Sequence, residues 1–380
     1  MEDTLPHQVQ VVLPSSGAKV KIPCHNWLAM TRDLLTDPRI TDDDYLFFEG
    51  NPIQGPPEDF SVVGDLNTGL AYRSTYDQLI RPNPVTDCGR NKFLLPVLFY
   101  QDGTATGSLT NMSMELVKFT LGCFNYEARE KDHLWRVLGA VPKCDPTNRR
   151  AVEHIAHSEH AQANDYITES DSEDSKKLRK FSKPFEFEQH IDSDIDSSDS
   201  EDEMLKLSVP ETDPQDFHQM LKVILASHKE VADKGGFPWD LWRRGTKHEL
   251  WMIPFVACTK GDTVEHDKHC GKHQGRGKGV KVLCRQCLCP TLDSDKPHLS
   301  HPKKTPQMII DLVKKRDLKG LQGISQQMIF NAWCETGFGL HNQLGVHGAC
   351  PMEIIHWINL GMMKCDRDAL RANRKRVQTQ

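Results

Sequence analysis

The sequence predicts an α/β protein: a mixed sheet whose first three strands run antiparallel, with helices flanking it. Three observations carry this. Three apolar runs of strand length follow one another with turn formers between them: "LLPVLFYQ" (94–101), "ELVKFTLGCF" (115–124) and "LWRVLGAV" (134–141). A helical pattern, "DPQDFHQMLKVILASHKEVADKGG", comes next. A fourth apolar run, "LWMIPFVAC" (250–258), then reads as a buried strand. The first and fourth runs both lead into an aspartate, Asp102 and Asp262.

Bulk properties fit a globular chain. Its 380 residues exceed one compact core, so one large or two moderate domains with loops are expected. The 38% hydrophobic content suffices to build a core. No run approaches the ~18 apolar residues of a membrane span, and the acidic start "MEDTLPHQ" lacks the layout of a signal peptide, so an intracellular, non-membrane protein is expected. Eight of the 12 cysteines lie from Cys258 onward, which suits metal binding or burial in such a chain better than disulfides.

The elements follow in order. Residues 1–63 are rich in Pro, Asp and Gly and read as a poorly structured N-terminal extension with one short helix at 25–35. Residues 64–149 form the first half of the core, opening on the helical spacing of "GDLNTGLAYRSTYDQLI" and broken by "RPNPVTDCGRN" before the first strand. The composition then changes: residues 168–204 carry 13 acidic and 5 basic groups, a net of −8. Residues 150–208 therefore read as a disordered acidic insertion, because such tracts bury too little apolar surface to offset their ordering entropy. Its serines embedded in acid suit phosphorylation, and a plain solubilising loop is the alternative.

Residues 209–265 supply the second half of the core. Asp213 caps its helix, Pro214 takes the first position, and Phe217, Leu221, Ile224 and Leu225 share a face. Residues 266–305 are Cys/His-rich, 306–365 form a helical block, and 366–380 are a basic tail in which "RANRKR" resembles a nuclear import signal. From Lys260 to the end, 20 basic residues face 11 acidic ones, a balance compatible with polyanion binding or with a solvated surface.

Two carboxylates at neighbouring strand ends can hold a pair of divalent cations about 4 Å apart for in-line attack on a phosphodiester, and oxygen ligands suit Mg²⁺ or Mn²⁺. The alternative is that Asp102 opens a "QDGT" turn and Asp262 sits in a "KGDT" turn. Spacing alone favours the turns.

In the Cys/His region, Cys270-x2-His273 and Cys284-x2-Cys287 have nearly the paired spacing of a structural Zn²⁺ knuckle. Cys289 or a distant His is an alternative ligand, and a redox pair is the competing reading of the CxxC. Lys272, Arg276, Lys278, Lys281 and Arg285 surround the cluster, as phosphate contacts or as an ordinary solvated face.

Five segments resemble a known family: "DLNTGLAYRSTYDQLI", the stretch from "LLPVLFYQDGTATGS" to "LWRVLGAVPK", "CTKGDTVEHDKHCGKH", "LCRQCLCPT" and "GLHNQLGVHGACPMEIIHWINLGMMK". In this order, spanning residues 64–364, they are similar to Plavaka-type transposases of the Kyakuja, Dileera and Zisupton group of cut-and-paste DNA transposons. The resemblance implies a ribonuclease H-like core, a DDE-type metal-dependent nuclease and strand transferase, and double-stranded DNA as partner. Asp102 matches the first catalytic acid and Asp262 the second, with Glu265 and Asp267 close to the latter. Two Mg²⁺ or Mn²⁺ ions would activate water for nicking and then a 3′-hydroxyl for joining.

Glu353 and His356, three apart on one helical face, look like the family's element of an acidic or Cys residue followed by His. Such a His would orient the site, ligate metal, or simply pack. The third acid of a DDE site is expected on a helix beyond this block, and the chain ends at "CDRDALRANRKRVQTQ". The expectation is a C-terminally truncated transposase with metal binding weakened and turnover low or absent. The alternative is a repurposed DNA-binding or protein-interaction module without catalysis. A nuclear location and assembly into a homo-oligomer are compatible with either.

Overall fold

The computed structural model describes residues 4–37, 54–59, 61, 64–105, 113–142, 213–243, 245–273, 280–294, 296, 298–335 and 344–350. The acidic insertion, Glu353, His356 and the basic tail lie outside the described residues.

Seven strands form one mixed sheet: β1 His7–Val12, β2 Lys19–Cys24, β3 Asn91–Ala105, β4 Ser113–Leu121, β5 Arg136–Pro142, β6 Phe237–Arg243 and β7 Thr246–Lys260. Their spatial order is β1-β2-β5-β4-β3-β7-β6. β3 and β7 are parallel, and every other neighbouring pair is antiparallel. The three-strand antiparallel run expected from the sequence is thus present as β3-β4-β5. The pattern of β3 explains its central place: Phe93, Leu94, Leu95, Val97, Leu98 and Phe99 are all buried, a continuous apolar run that needs cover on both faces.

One face is covered by α4, Pro214–Asp233, and α1, Trp27–Thr36. The α4 cap forms as its sequence predicts, with the Asp213 carboxylate accepting from the Gln215 and Asp216 amides and Phe217, Leu221, Ile224 and Leu225 buried. Trp27, fully buried, donates its amide to Ser227 Oγ of α4 at 2.9 Å and packs edge-on against His228. The opposite face carries α2, Leu70–Leu79, whose Tyr72 packs on Phe255 of β7, and the short α3, Tyr126–Arg129.

Residues 1–63 are not a loose extension throughout, which corrects that expectation. β1 and β2 pair over six register positions and extend the sheet through β5, while α1 joins the main core. "HQVQVV" and "KVKIPC" do alternate polar with apolar residues, but each is only six residues long.

β6 is a second addition. It hairpins onto β7, and α4 turns into it through Gly236, whose φ is +120° and where a Cβ would meet Met252 O at 2.2 Å. Downstream, α5 Thr263–His269 is followed by α6 Pro306–Lys315, α7 Leu318–Gly323 and α8 Val346–Ala349. A small second cluster of Ile309, Val313 and Leu321 holds α6 to α7. Among the described residues, no helix is long and apolar enough to cross a membrane.

Candidate functional site at the strand ends

Asp102 and Asp262 come from the only parallel neighbours in the described sheet. The β3·β7 register runs to Tyr100↔Lys260, and each aspartate lies two residues further along its chain. Gly261, just before Asp262, runs close to β3 and α5: a Cβ there would meet Gln101 O at 3.1 Å and Glu265 Cβ at 3.1 Å. Asp102 does not open a turn. It lies within β3, paired with Leu116 of β4, and the strand continues to Ala105. Asp262 has a local task as the N-cap of α5, its Oδ1 accepting from the Glu265 amide at 2.7 Å. The carboxylate thereby satisfies one of the orphan donors of the first helical turn.

A buried polar network adjoins these ends. Gln101 donates through Nε2 to Glu115 Oε2 at 2.8 Å, and Lys268 donates to Glu115 Oε1 at 2.6 Å and to Glu265 Oε1 at 3.1 Å. His269 Nε2 lies 2.8 Å from Gln101 Oε1, and since the Gln101 amide nitrogen faces Glu115, the imidazole is the donor. Burial first, and then the charge of Glu115, push the Glu265 carboxyl up to about 7. Burial, reinforced by the neighbouring His266, His218, Lys268 and Arg285, holds the His269 pKa well below the ordinary imidazole value. Glu265 Oε2, His266 Nδ1 and His269 Nδ1 are buried without a hydrogen-bond partner.

The network also fastens a distant segment. His218 Nδ1 accepts from the Ala332 amide at 3.3 Å, which leaves Nε2 to donate to Lys268 O at 3.1 Å. Asn331 donates to His269 O at 2.7 Å, and Trp333 lies edge-on to Phe99 and tilted against His269. Sequence reasoning did not identify Gln101, Glu115, Lys268 or His269 as a unit. The available signal was Gln101, a polar residue closing an otherwise apolar strand.

The expected zinc set does not assemble. Cys270 caps the end of α5, is fully buried and hydrogen-bonds to Cys350, whose Sγ lies 3.1 Å from Thr259 Oγ1. His273 is exposed, while Cys284 and Cys287 hydrogen-bond to one another. Among the described residues, no group of three or more His, Cys, Asp or Glu side chains is placed to hold a metal ion. Lys304, fully buried beside the two thiols, donates to Cys284 O at 2.9 Å, and burial lowers its pKa to about 8.

Two of the five expected phosphate contacts are engaged elsewhere. Lys272 is buried against Asp267 at 3.1 Å, and Arg285 lies 3.5 Å from the same carboxylate. Lys281 is exposed, while Arg276 and Lys278 lie outside the described residues. No protein-family model matches the chain, and no curated protein matches it.

Proposed function

We propose that the chain carries the ribonuclease H-like core of a DDE-type transposase and acts on double-stranded DNA through Asp102 and Asp262. One observation carries the reading. Among the described strands a single parallel pair, β3·β7, is set beside the antiparallel run β3-β4-β5, with α4 before β7; Asp102 lies in β3 and Asp262 follows β7, each two residues past the last paired positions, Tyr100 and Lys260. Ligands of open α/β sheets gather at such carboxyl ends.

The donor set fits a hard divalent cation in kind, since it consists of carboxylates and Asp262 uses one oxygen in its cap bond. Asp102 and Asp262 would hold Mg²⁺ or Mn²⁺, which when bound supplies Lewis acidity to the phosphodiester. The chain's own contribution is positioning. The cap bond fixes Asp262 at the start of α5, and the ion pairs of Lys268 tie α5 to β4 through Glu115.

A second reading, a DNA-binding module without catalysis, is favoured by the same cap bond, which gives Asp262 a structural role independent of any metal. Plasmid nicking and duplex binding separate the two. Mn²⁺- or Mg²⁺-dependent nicking that is lost in Asp102→Ala supports the nuclease. Salt-sensitive duplex binding with no nicking, unchanged in Asp102→Ala, supports the module. Absence of both overturns the reading as a DNA-acting protein.

A further inference from the structure

We infer that Tyr100, Trp135 and Lys260 form a docking platform for an unpaired nucleotide of a DNA strand, next to the strand-end acids. The platform rests on the proposed function for the nature of the polymer, and on its own geometry for the contact. Tyr100 and Lys260 are register partners across the parallel pair, the last before the acids. Asp102 lies two residues further along β3, roughly 6.6 Å on, and Asp262 follows Lys260 by two residues at the start of α5.

Trp135 reaches both partners from the start of β5. Its ring centroid is 6.1 Å from that of Tyr100 at an interplanar angle of 69°, and Lys260 Nζ lies 5.5 Å from the indole centroid. The indole is fixed in place by Nε1, which donates to Arg129 O at 2.9 Å.

All three residues are only half-buried, and neither Tyr100 nor Trp135 belongs to the apolar core. Two aromatic rings and a cation held at a surface beside a carboxylate site match a nucleic-acid strand, with its bases on the rings and a phosphate on the ammonium. The nucleotide must be unpaired, because a base inside a duplex presents no free face to an indole.

Fluorescence anisotropy on the full chain tests this, with a labelled oligothymidine strand and the same strand annealed into a blunt duplex. Trp135→Leu is expected to weaken single-strand binding about 5- to 150-fold and duplex binding less. Trp135→Phe keeps the aromatic face and stays within a few-fold of the unsubstituted chain. Lys260→Gln lowers the slope of log affinity against log salt by roughly 0.7, the contribution of one phosphate contact on a single strand. Equal single-strand affinity for Trp135→Leu and the unsubstituted chain overturns the platform, as does a lack of any single-strand affinity.

Should Trp135→Leu lower the unfolding midpoint, Lys260→Gln decides, and an unchanged salt slope overturns the proposal. Trp135-dependent single-strand binding without metal-dependent nicking leaves the platform standing and removes the nuclease reading. Nicking with Trp135-independent binding does the reverse.

Discussion

Replacing Glu265 with Gln should change stability in a pH-dependent way whose size follows from the network around Lys268. Glu265 and Glu115 share that one lysine, at 3.1 and 2.6 Å, and both carboxylates are almost fully buried. Burial and the Glu115 charge raise the Glu265 carboxyl from 4.5 to about 7. A carboxyl raised on folding adds stability that is fully present below its unfolded value and is lost as pH rises through the folded one. At about 1.4 kcal/mol per pH unit, the interval from 4.5 to about 7 corresponds to about 3 kcal/mol, most of which is lost between pH 5 and 8. Glutamine mimics the neutral acid and has no such loss. His218 and His228, lowered by burial to about 4, act in the opposite sense: their contribution is present above 6.5 and is lost as pH falls towards 4. The histidines are common to both proteins and cancel on subtraction. Urea denaturation at pH 5, 6, 7 and 8, in EDTA to keep divalent cations from Asp262, should show Glu265→Gln gaining about 2–3 kcal/mol on the unsubstituted chain across that range. Parallel stability curves would refute the assignment of Glu265 as a buried carboxyl that ionises at a cost.

Three further outcomes can be measured. Trp27→Ala, which empties a fully buried site against His228 and Phe119, should cost about 3–5 kcal/mol by urea denaturation. A cost under about 1 kcal/mol would show that the N-terminal segment is not part of the core. Gly236→Ala should cost roughly 3 kcal/mol from its left-handed backbone and its approach to Met252 O, whereas Gly235→Ala, at φ +73° with open space around it, should cost about 1 kcal/mol. Equal shifts in melting temperature would contradict this. Burial opposes ionisation of Cys284, but hydrogen bonds from the Cys287 thiol and from the Cys287 and Gln286 amides outweigh it and bring the pKa below the ordinary thiol value, while burial raises that of Cys270. Iodoacetamide should therefore alkylate Cys284 ahead of Cys270. Mass spectrometry of timed digests reads the order.

What the sequence conveyed depended on the range of the interaction. The α4 boundaries were legible because Asp213, Pro214 and the Gly235-Gly236 pair act within a few residues of the helix they delimit. The runs that became β3, β4, β5 and β7 were legible because apolar length is a local property. β1, β2 and β6 were not, since polar residues interrupt their apolar positions and each gains its place by pairing with a partner. The Gln101–Glu115–Lys268–His269 network was invisible for a similar reason. Its members are scattered over the chain, and Lys268 lies 153 residues from Glu115. The Cys and His residues show the opposite case. Local spacing put Cys270 and His273 with the CxxC, whereas the fold sends Cys270 to Cys350, 80 positions away, and leaves His273 at the surface.

The two aspartates illustrate how a single residue can decide what the spacing leaves open. The β3·β7 register shifts between Val97 and Leu98, where Val97 pairs with Val256 but Leu98 pairs with Cys258, so Ala257 is an extra residue in β7. Without that bulge, Tyr100 would pair with Thr259 and Asp102 would be level with Gly261, leaving Asp262 one step out of line. A slip of one residue also exchanges the two faces of a strand. The bulge therefore brings Lys260 level with Tyr100, places Thr259 where it meets Cys350 and His266, and leaves Asp102 and Asp262 each two residues beyond the last pair. Bulges next to active sites commonly re-aim side chains in this way. Nothing in "PFVACTK" marks Ala257 as the extra residue, because the shift is defined by pairing with a strand about 160 positions earlier. The equal spacing of the two acids from the last β3·β7 pair is thus a property of the sheet, and the proposed site draws on it rather than on local sequence.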